Sequence, residues 1–328
     1  MKILVTGGTG FLGRHLVSAL LDRGHRVYVM GRNFVSVQDF LTDGAIPIKC
    51  DLRDHEAVYA ACAGMNTVYH LGALVGPWGD GTDFAAVNIE GTAAVLEGCR
   101  RHHVKRCVYV SSTCVTFNGH DQHAISEQTP YTRHFTSDYA LTKKRAEEMV
   151  KSTVDVPAVI IRPSFVFGPG DQWLPGVVEA AAQQRFYQIG NGRNQVDLTY
   201  VDNVTQALLA ALYVVNATGK TYIITNDEHV YIWDMIRTLL QRVKCSTELR
   251  YVPLPFARAV ASFRERQAER GKGMAPILTR YGVDMLSCTQ TYDITAARRD
   301  LGYQPIVSVA EGIERTVETW QLQHRIAI

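Results

Sequence analysis

The opening stretch MKILVTGGTGFLGRHLVSALL restricts the fold more than any other part of the chain. Ile3, Leu4 and Val5 form an uncharged apolar run, the pattern of a strand buried on both faces of a parallel sheet. Gly7, Gly8, Gly10 and Gly13 follow, so the turn satisfies both G-x-G-x-x-G and G-x-x-G-x-x-G. From Phe11 onward Leu12, Leu16, Ala19 and Leu20 recur at helical spacing. Strand, glycine turn and helix in that order let a pyrophosphate approach the backbone with no Cβ in the way. The helix start adds unpaired N–H groups and the positive end of a dipole. A glycine turn with a purely structural role is the bland alternative, and the strand–turn–helix order argues against it.

The runs RVYVMG, TVYHLGA, RCVYVSS and AVIIRPS read as further strands separated by helical stretches. That alternation predicts an α/β fold, a Rossmann-type doubly wound parallel sheet. Regularity weakens after RPSFVFGPGDQWLPG, so residues 1–168 are expected to form a dinucleotide-binding domain and 169–328 a smaller C-terminal substrate-binding domain and lid. The stretches LTYVDNVTQALLAALYVV and KTYIITN predict one more helix and strand that return to the first domain over about 196–225.

Charge and cysteine usage narrow the partners. Lys and Arg number 34 against 32 Asp and Glu, so no basic field points to nucleic acid, and a small molecule is the expected partner. The seven cysteines show no C-x-x-C pair and read as reduced thiols. No charged segment precedes an apolar one at the start, and no run of eighteen apolar residues occurs, so a cytoplasmic protein without a transmembrane segment is expected. The eleven histidines include no His-Glu-x-x-His, and no metal is expected.

Ligands of open α/β sheets bind at the carboxyl ends of the strands. Ser111 and Ser112 directly follow the RCVYV strand, which puts a hydroxyl at the mouth of the sheet. Downstream, Ser137 and Asp138 are helix-capping residue types, and Tyr139 and Lys143 fall one helical turn apart on the same face. An ammonium beside a phenol stabilises the phenolate and brings it nearer to acid–base work at neutral pH, while Ser112 can donate to a developing alkoxide. A third feature concerns the cofactor. The stretch VYVMGRNFVSVQ carries Arg32 where NAD-specific sites carry a carboxylate, and there is no acidic residue between Arg26 and Asp39. Arg32 can pair with a 2′-phosphate, so NADP(H) is expected to be preferred over NAD(H).

With VTGGTGFLG, DLRD, VYHLGA, NIEGT, VYVSS, YALTK and RPSFVFGPGD in succession, the chain resembles the extended short-chain dehydrogenase/reductases over nearly its whole length. Within them, VGPWGD and VDLTYVDN are most similar to the 3β-hydroxysteroid dehydrogenase branch, which includes 2-alkyl-3-oxoalkanoate reductases. The resemblance implies a hydride-transferring oxidoreductase with Ser112, Tyr139 and Lys143 catalytic and Asn88 near the active site. It further implies a cofactor lined by Gly7, Gly10, Phe11, Leu12, Gly13, Asp51, Leu52, Leu71, Ala73, Pro163 and Val166. It also implies a homodimer formed through the Tyr139 helix and the helix before the serine strand.

Departures from the family direct the choice of reaction. Thr113 and Cys114 stand where 4,6-dehydratases carry an acidic pair, and Cys114 where steroid isomerases carry Glu, so dehydration and isomerisation are not expected. Val196 precedes Asp197 where many sugar-nucleotide epimerases have an arginine for the diphosphate. A hydrophobic ketone or alcohol, 3-oxoacyl or steroid-like, is therefore the expected substrate, with a sugar-nucleotide epimerase or ketoreductase and a non-catalytic NADP sensor as alternatives. Leu74, Val75, Trp78, Phe84, Phe165, Trp173 and Leu174 are the expected wall of its cleft, together with Ser112. The segment 256–283 interleaves apolar residues with arginines and is open to three readings, a lid, a solvated helix and a peripheral membrane contact. The first two are favoured.

Overall fold

The computed structural model describes residues 1–271 and 275–325; residues 272–274 of the 256–283 segment and the last three residues lie outside them. In chain order the elements are β1 (Lys2–Thr6), α1 (Phe11–Leu21), β2 (Arg26–Gly31), α2 (Gln38–Thr42), β3 (Ile46–Lys49), α3 (His55–Ala61), β4 (Thr67–His70), α4 (Gly81–Ala85), α5 (Gly91–Arg101), β5 (Arg106–Val110) and β6 (Gln122–Ile125). Then come α6 (Asp138–Ser152), β7 (Ala158–Pro163), β8 (Phe165–Phe167), α7 (Trp173–Ala182), β9 (Tyr187–Ile189), β10 (Gln195–Tyr200), α8 (Val201–Tyr213) and β11 (Thr221–Ile224). The rest comprises β12 (His229–Tyr231), α9 (Ile232–Arg242), β13 (Arg250–Val252), α10 (Leu254–Glu269), α11 (Arg280–Ser287), β14 (Gln290–Tyr292), α12 (Thr295–Leu301) and α13 (Val309–Arg325).

Seven strands form one sheet in the order β11-β7-β5-β4-β1-β2-β3, every neighbouring pair parallel. Alternation along β1 explains why the sheet is covered on both sides. Ile3 and Val5 point into a core shared with Leu16, Val17 and Leu20 of α1 and Val204 and Leu208 of α8. Leu4 points the other way, onto Val58 of α3, Val95 of α5 and Ala146 and Val150 of α6. The expected return of the chain is present, since β11 pairs with β7 and α8 packs on α1.

The strand β3, whose IPIK carries a proline, is not among the strands expected from the sequence. The structure tolerates Pro47 because β3 is the edge strand, where a missing N–H disrupts no further ladder. A second sheet runs β12-β10-β14-β6 with β8 paired to β10, and β9 and β13 make a separate pair. Its core includes Phe167, Leu174, Val178, Trp233, Ile236 and Ala261.

Candidate active site

The glycine turn between β1 and α1 is held by close backbone contact. Gly7 has φ +67°, and a Cβ there would lie 2.7 Å from Gly72 Cα, while one at Gly13 would lie 2.2 Å from the Gly7 carbonyl oxygen. Both substitutions would push the turn apart. Gly10 differs, because it is exposed and a Cβ there would meet only the Gly7 oxygen, at 3.2 Å. From Gly10 the first turn of α1 starts with no side-chain cap and no acidic residue. A concave backbone with room at Gly10 and uncapped N–H groups fits the pyrophosphate of a dinucleotide. Phe11, Leu12, Leu71, Ala73 and Val166 are partly buried around this turn's elements, and Pro163 is buried at the end of β7.

Arg32 is brought beside the turn by the backbone of β2, since a Cβ on Gly31 would lie 2.8 Å from the Thr9 side chain. Its side chain is 73% exposed, and its guanidinium is 4.0 Å from Asp51. Asp51 is engaged instead by Arg53, through hydrogen bonds of 3.0 and 2.8 Å that hold its carboxyl down at about 2. Leu52 is buried and packs where side chains on Gly72 and Gly91 would clash, so it supports the turn from beneath.

At the end of β5 the two serines diverge. Ser111 is buried and donates to Glu147 Oε2 at 2.6 Å. Ser112 caps a short turn by accepting from Cys114 N at 3.2 Å, and its hydroxyl is a hydrogen-bond partner of the Tyr139 phenol. Tyr139 is placed by α6, which Ser137 caps by accepting from Ala140 N at 3.1 Å. Lys143, one turn further on, is buried, donates to Val110 O at 2.7 Å and lies 4.3 Å from the centre of the Tyr109 ring.

One expectation changes here. Burial, with the Cys114 thiol adding to it, pushes the Tyr139 phenol up, and the Ser112 hydrogen bond opposes this. The ammonium expected to lower it is itself drawn down to about 8 by burial. The Tyr139 phenol is therefore held protonated at neutral pH.

Asn88 sits in a single π-helical turn, Ala86–Glu90, and is buried. It accepts from Leu74 N at 2.7 Å and donates to Leu74 O and Thr142 Oγ1, both at 3.0 Å, so it ties the loop after β4 to α6. Of the expected cleft residues, Val75 is 69% exposed and Trp78 is partly buried, while Phe165 and Trp173 meet edge to face at 5.3 Å. Phe84 and Leu174 are corrected to core residues. Phe84 turns inward against Gly79, and Leu174 joins the second core.

Two groups at the site carry no local sequence signal. Glu147, fully buried on α6, takes hydrogen bonds from Arg162 (2.5, 3.0 and 3.1 Å), Tyr131 and Ser111, which braces the β5 end from below. Tyr281, at the start of α11, packs with Cys114, Ala140 and Tyr139.

The model of the 3-beta hydroxysteroid dehydrogenase/isomerase family matches residues 4–255. The chain belongs to that family. Among its relatives is the 2-alkyl-3-oxoalkanoate reductase of Stenotrophomonas maltophilia, 36% identical over 96% of this chain and 98% of its own length. The mouse sterol-4-alpha-carboxylate 3-dehydrogenase, decarboxylating, is 32% identical over 97% of this chain and 91% of its own. Membership makes the protein an oxidoreductase acting on CH–OH or ketone groups. In fold the family member resembles a UDP-glucuronic acid 4-epimerase from Bacillus cereus, with TM-score 0.79, 23% identity and coverage of 98% of this chain and 99% of that one.

Proposed function

We propose that this protein is an NADP(H)-dependent ketoreductase of hydrophobic substrates, with a 2-alkyl-3-oxo acid or a steroid-like ketone as the substrate class. The observation that carries the reading is the Ser112–Tyr139 pair at the end of β5, with Lys143 buried beside it and the glycine turn at the end of β1, across β4 in the same sheet. A bound nicotinamide supplies the hydride. Ser112 donates to the carbonyl oxygen and fixes its position, Tyr139 gives that oxygen its phenolic proton, and Lys143 stabilises the phenolate left behind. The names of the relatives support a 3-oxoacyl or sterol substrate over a sugar nucleotide. So does the strand β10, where Val196 is buried and Asp197 is bonded to His229 and Tyr292 N, leaving no guanidinium there for a diphosphate. The reading keeps a division near Gly168 into a cofactor part and a substrate part, and a cytoplasmic homodimer.

NADPH oxidation measured against a panel of 2-alkyl-3-oxo acids, 3-oxosteroids and UDP-sugars tests the substrate class. Turnover is expected with one of the first two classes, and micromolar UDP binding by calorimetry would overturn the hydrophobic reading.

Cofactor choice is tested at Arg32. Charge-assisted hydrogen bonds to a 2′-phosphate contribute roughly 1.5 to 3 kcal/mol each, so kcat/KM should favour NADPH by at least about tenfold. Arg32→Ala should erase most of that ratio by weakening NADPH and not NADH; equal efficiencies in the unaltered enzyme exclude the role.

Lys143 predicts a pH limb. Burial lowers its pKa to about 8, and kcat/KM reports the free enzyme. Reduction should therefore slow as pH rises through about 8, where the ammonium that supports the phenolate is lost. A profile flat to pH 10 would separate the Lys143 charge from the reaction.

A further inference from the structure

The hairpin of α10 and α11 begins at Leu254, so all but its first two residues lie beyond residues 4–255, the part matched by the family model. Its inner side is fastened between the two helices and onto the body of the protein. Glu265 of α10 is buried and accepts from Arg280 N at 2.7 Å and Nε at 2.5 Å. Arg258 donates to Asp284 at 2.8 Å and to the Gly119 carbonyl at 2.8 Å, and Tyr281 rests beside Tyr139.

The outer side of α10 is built differently. Phe256 and Phe263 are 62% and 60% exposed. Seven residues apart, they stack along one face, and Arg264 and Arg266 project at about 80° to either side of Phe256. Arg264, Arg266 and Arg270 make no ion pair and no side-chain hydrogen bond among the described residues, whereas Arg258 and Arg280 are spent on buried carboxylates. Tyr251, just before the helix, and Ile277, beyond it, are 59% and 96% exposed.

We propose that this outer face is a peripheral docking surface for an anionic lipid bilayer. An aromatic stripe with a cation on each flank is the arrangement that lies in a membrane interface. The rings enter the headgroup–acyl boundary while the guanidinia stay at the level of the phosphates. Each arginine near such a surface strengthens binding by about fivefold. The same features disfavour a second copy of the chain as the occupant. Two such faces would set arginine against arginine, and two rings fall far short of the roughly 1,000 Å² that a specific protein interface buries. The contact is interfacial, since no helix among the described residues is long and apolar enough to cross a membrane. A hydrophobic substrate held in lipid would then reach the site on the inner side of the same hairpin.

The test is flotation of the intact protein with vesicles of phosphatidylcholine alone and of phosphatidylcholine mixed with phosphatidylglycerol. Binding is expected only to the anionic vesicles and should weaken as NaCl is raised. Phe256→Ser with Phe263→Ser, and separately Arg264→Gln with Arg266→Gln, should each reduce it by about tenfold or more with the melting temperature unchanged. Absence of binding at low salt, variants that bind like the unaltered protein, or a dimer in light scattering that the Phe256 and Phe263 changes dissociate would each overturn the proposal. The measurement reads lipid binding and not turnover, so it stands or falls separately from the substrate reading.

Discussion

Tyr139→Phe is expected to lower kcat by at least about 100-fold while leaving cofactor affinity and stability largely unchanged. The ring belongs to a packed cluster with Cys114, Ala140 and Tyr281, and phenylalanine keeps that packing. Only the hydroxyl is lost. Burial holds that hydroxyl protonated, and Ser112 is its hydrogen-bond partner, so its removal takes away the proton that must reach the substrate oxygen. Steady-state turnover combined with a fluorescence titration of NADPH separates the two effects. A kcat within tenfold of the unaltered enzyme would mean that another group supplies the proton.

The second large effect is one of stability. Glu147 and Arg162 are both buried, and Glu147→Ala would leave the guanidinium in the interior without its carboxylate. Loss of one partner of a buried pair costs roughly 3 to 5 kcal/mol. For a chain of this size that lowers Tm by roughly 5 °C. A pH dependence accompanies it. Burial alone would raise the Glu147 carboxyl, but the Arg162 hydrogen bonds and charge outweigh it and hold the group at about 2, below its ordinary 4.5. A carboxyl depressed in the folded state contributes stability that is complete above about 4.5 and is lost as pH falls toward about 2. The unaltered protein should therefore lose stability across that window, and Glu147→Ala should lose less. Urea unfolding of both proteins at neutral and acid pH measures this. A difference under about 1 kcal/mol at neutral pH would show that the interior relaxes to accommodate Arg162.

Much of the candidate site is local and so could be read directly. The strand–glycine–helix order, and the Gly13 contact with Gly7 inside it, involve residues only a few positions apart. The Ser137 cap acts on Ala140 three residues away, and the shared face of Tyr139 and Lys143 follows from one turn of helix. Other features depended on partners far along the chain. Glu147 looks like a solvated residue of a charged helix, and it is Arg162 on β7 and Ser111 just past β5, far along the chain, that hold it in the interior. Phe84 and Phe165 are both phenylalanines of the expected cleft wall, yet one turns into the core and the other stands beside Trp173.

By itself, the sequence determined the parallel sheet, its glycine turn, the helix carrying Tyr139 and Lys143, and the return of the chain to the first sheet. Each is written in short-range periodicity or in a backbone that only glycine permits. Tertiary structure alone decided that Ser111 is spent on Glu147 and where the Lys143 ammonium is spent. It also decided that Tyr281, 142 residues after Tyr139, joins the same cluster. Those outcomes follow from desolvation and from long-range hydrogen bonds, whose energies depend on what the fold places opposite each group, and no stretch of sequence carries that information on its own.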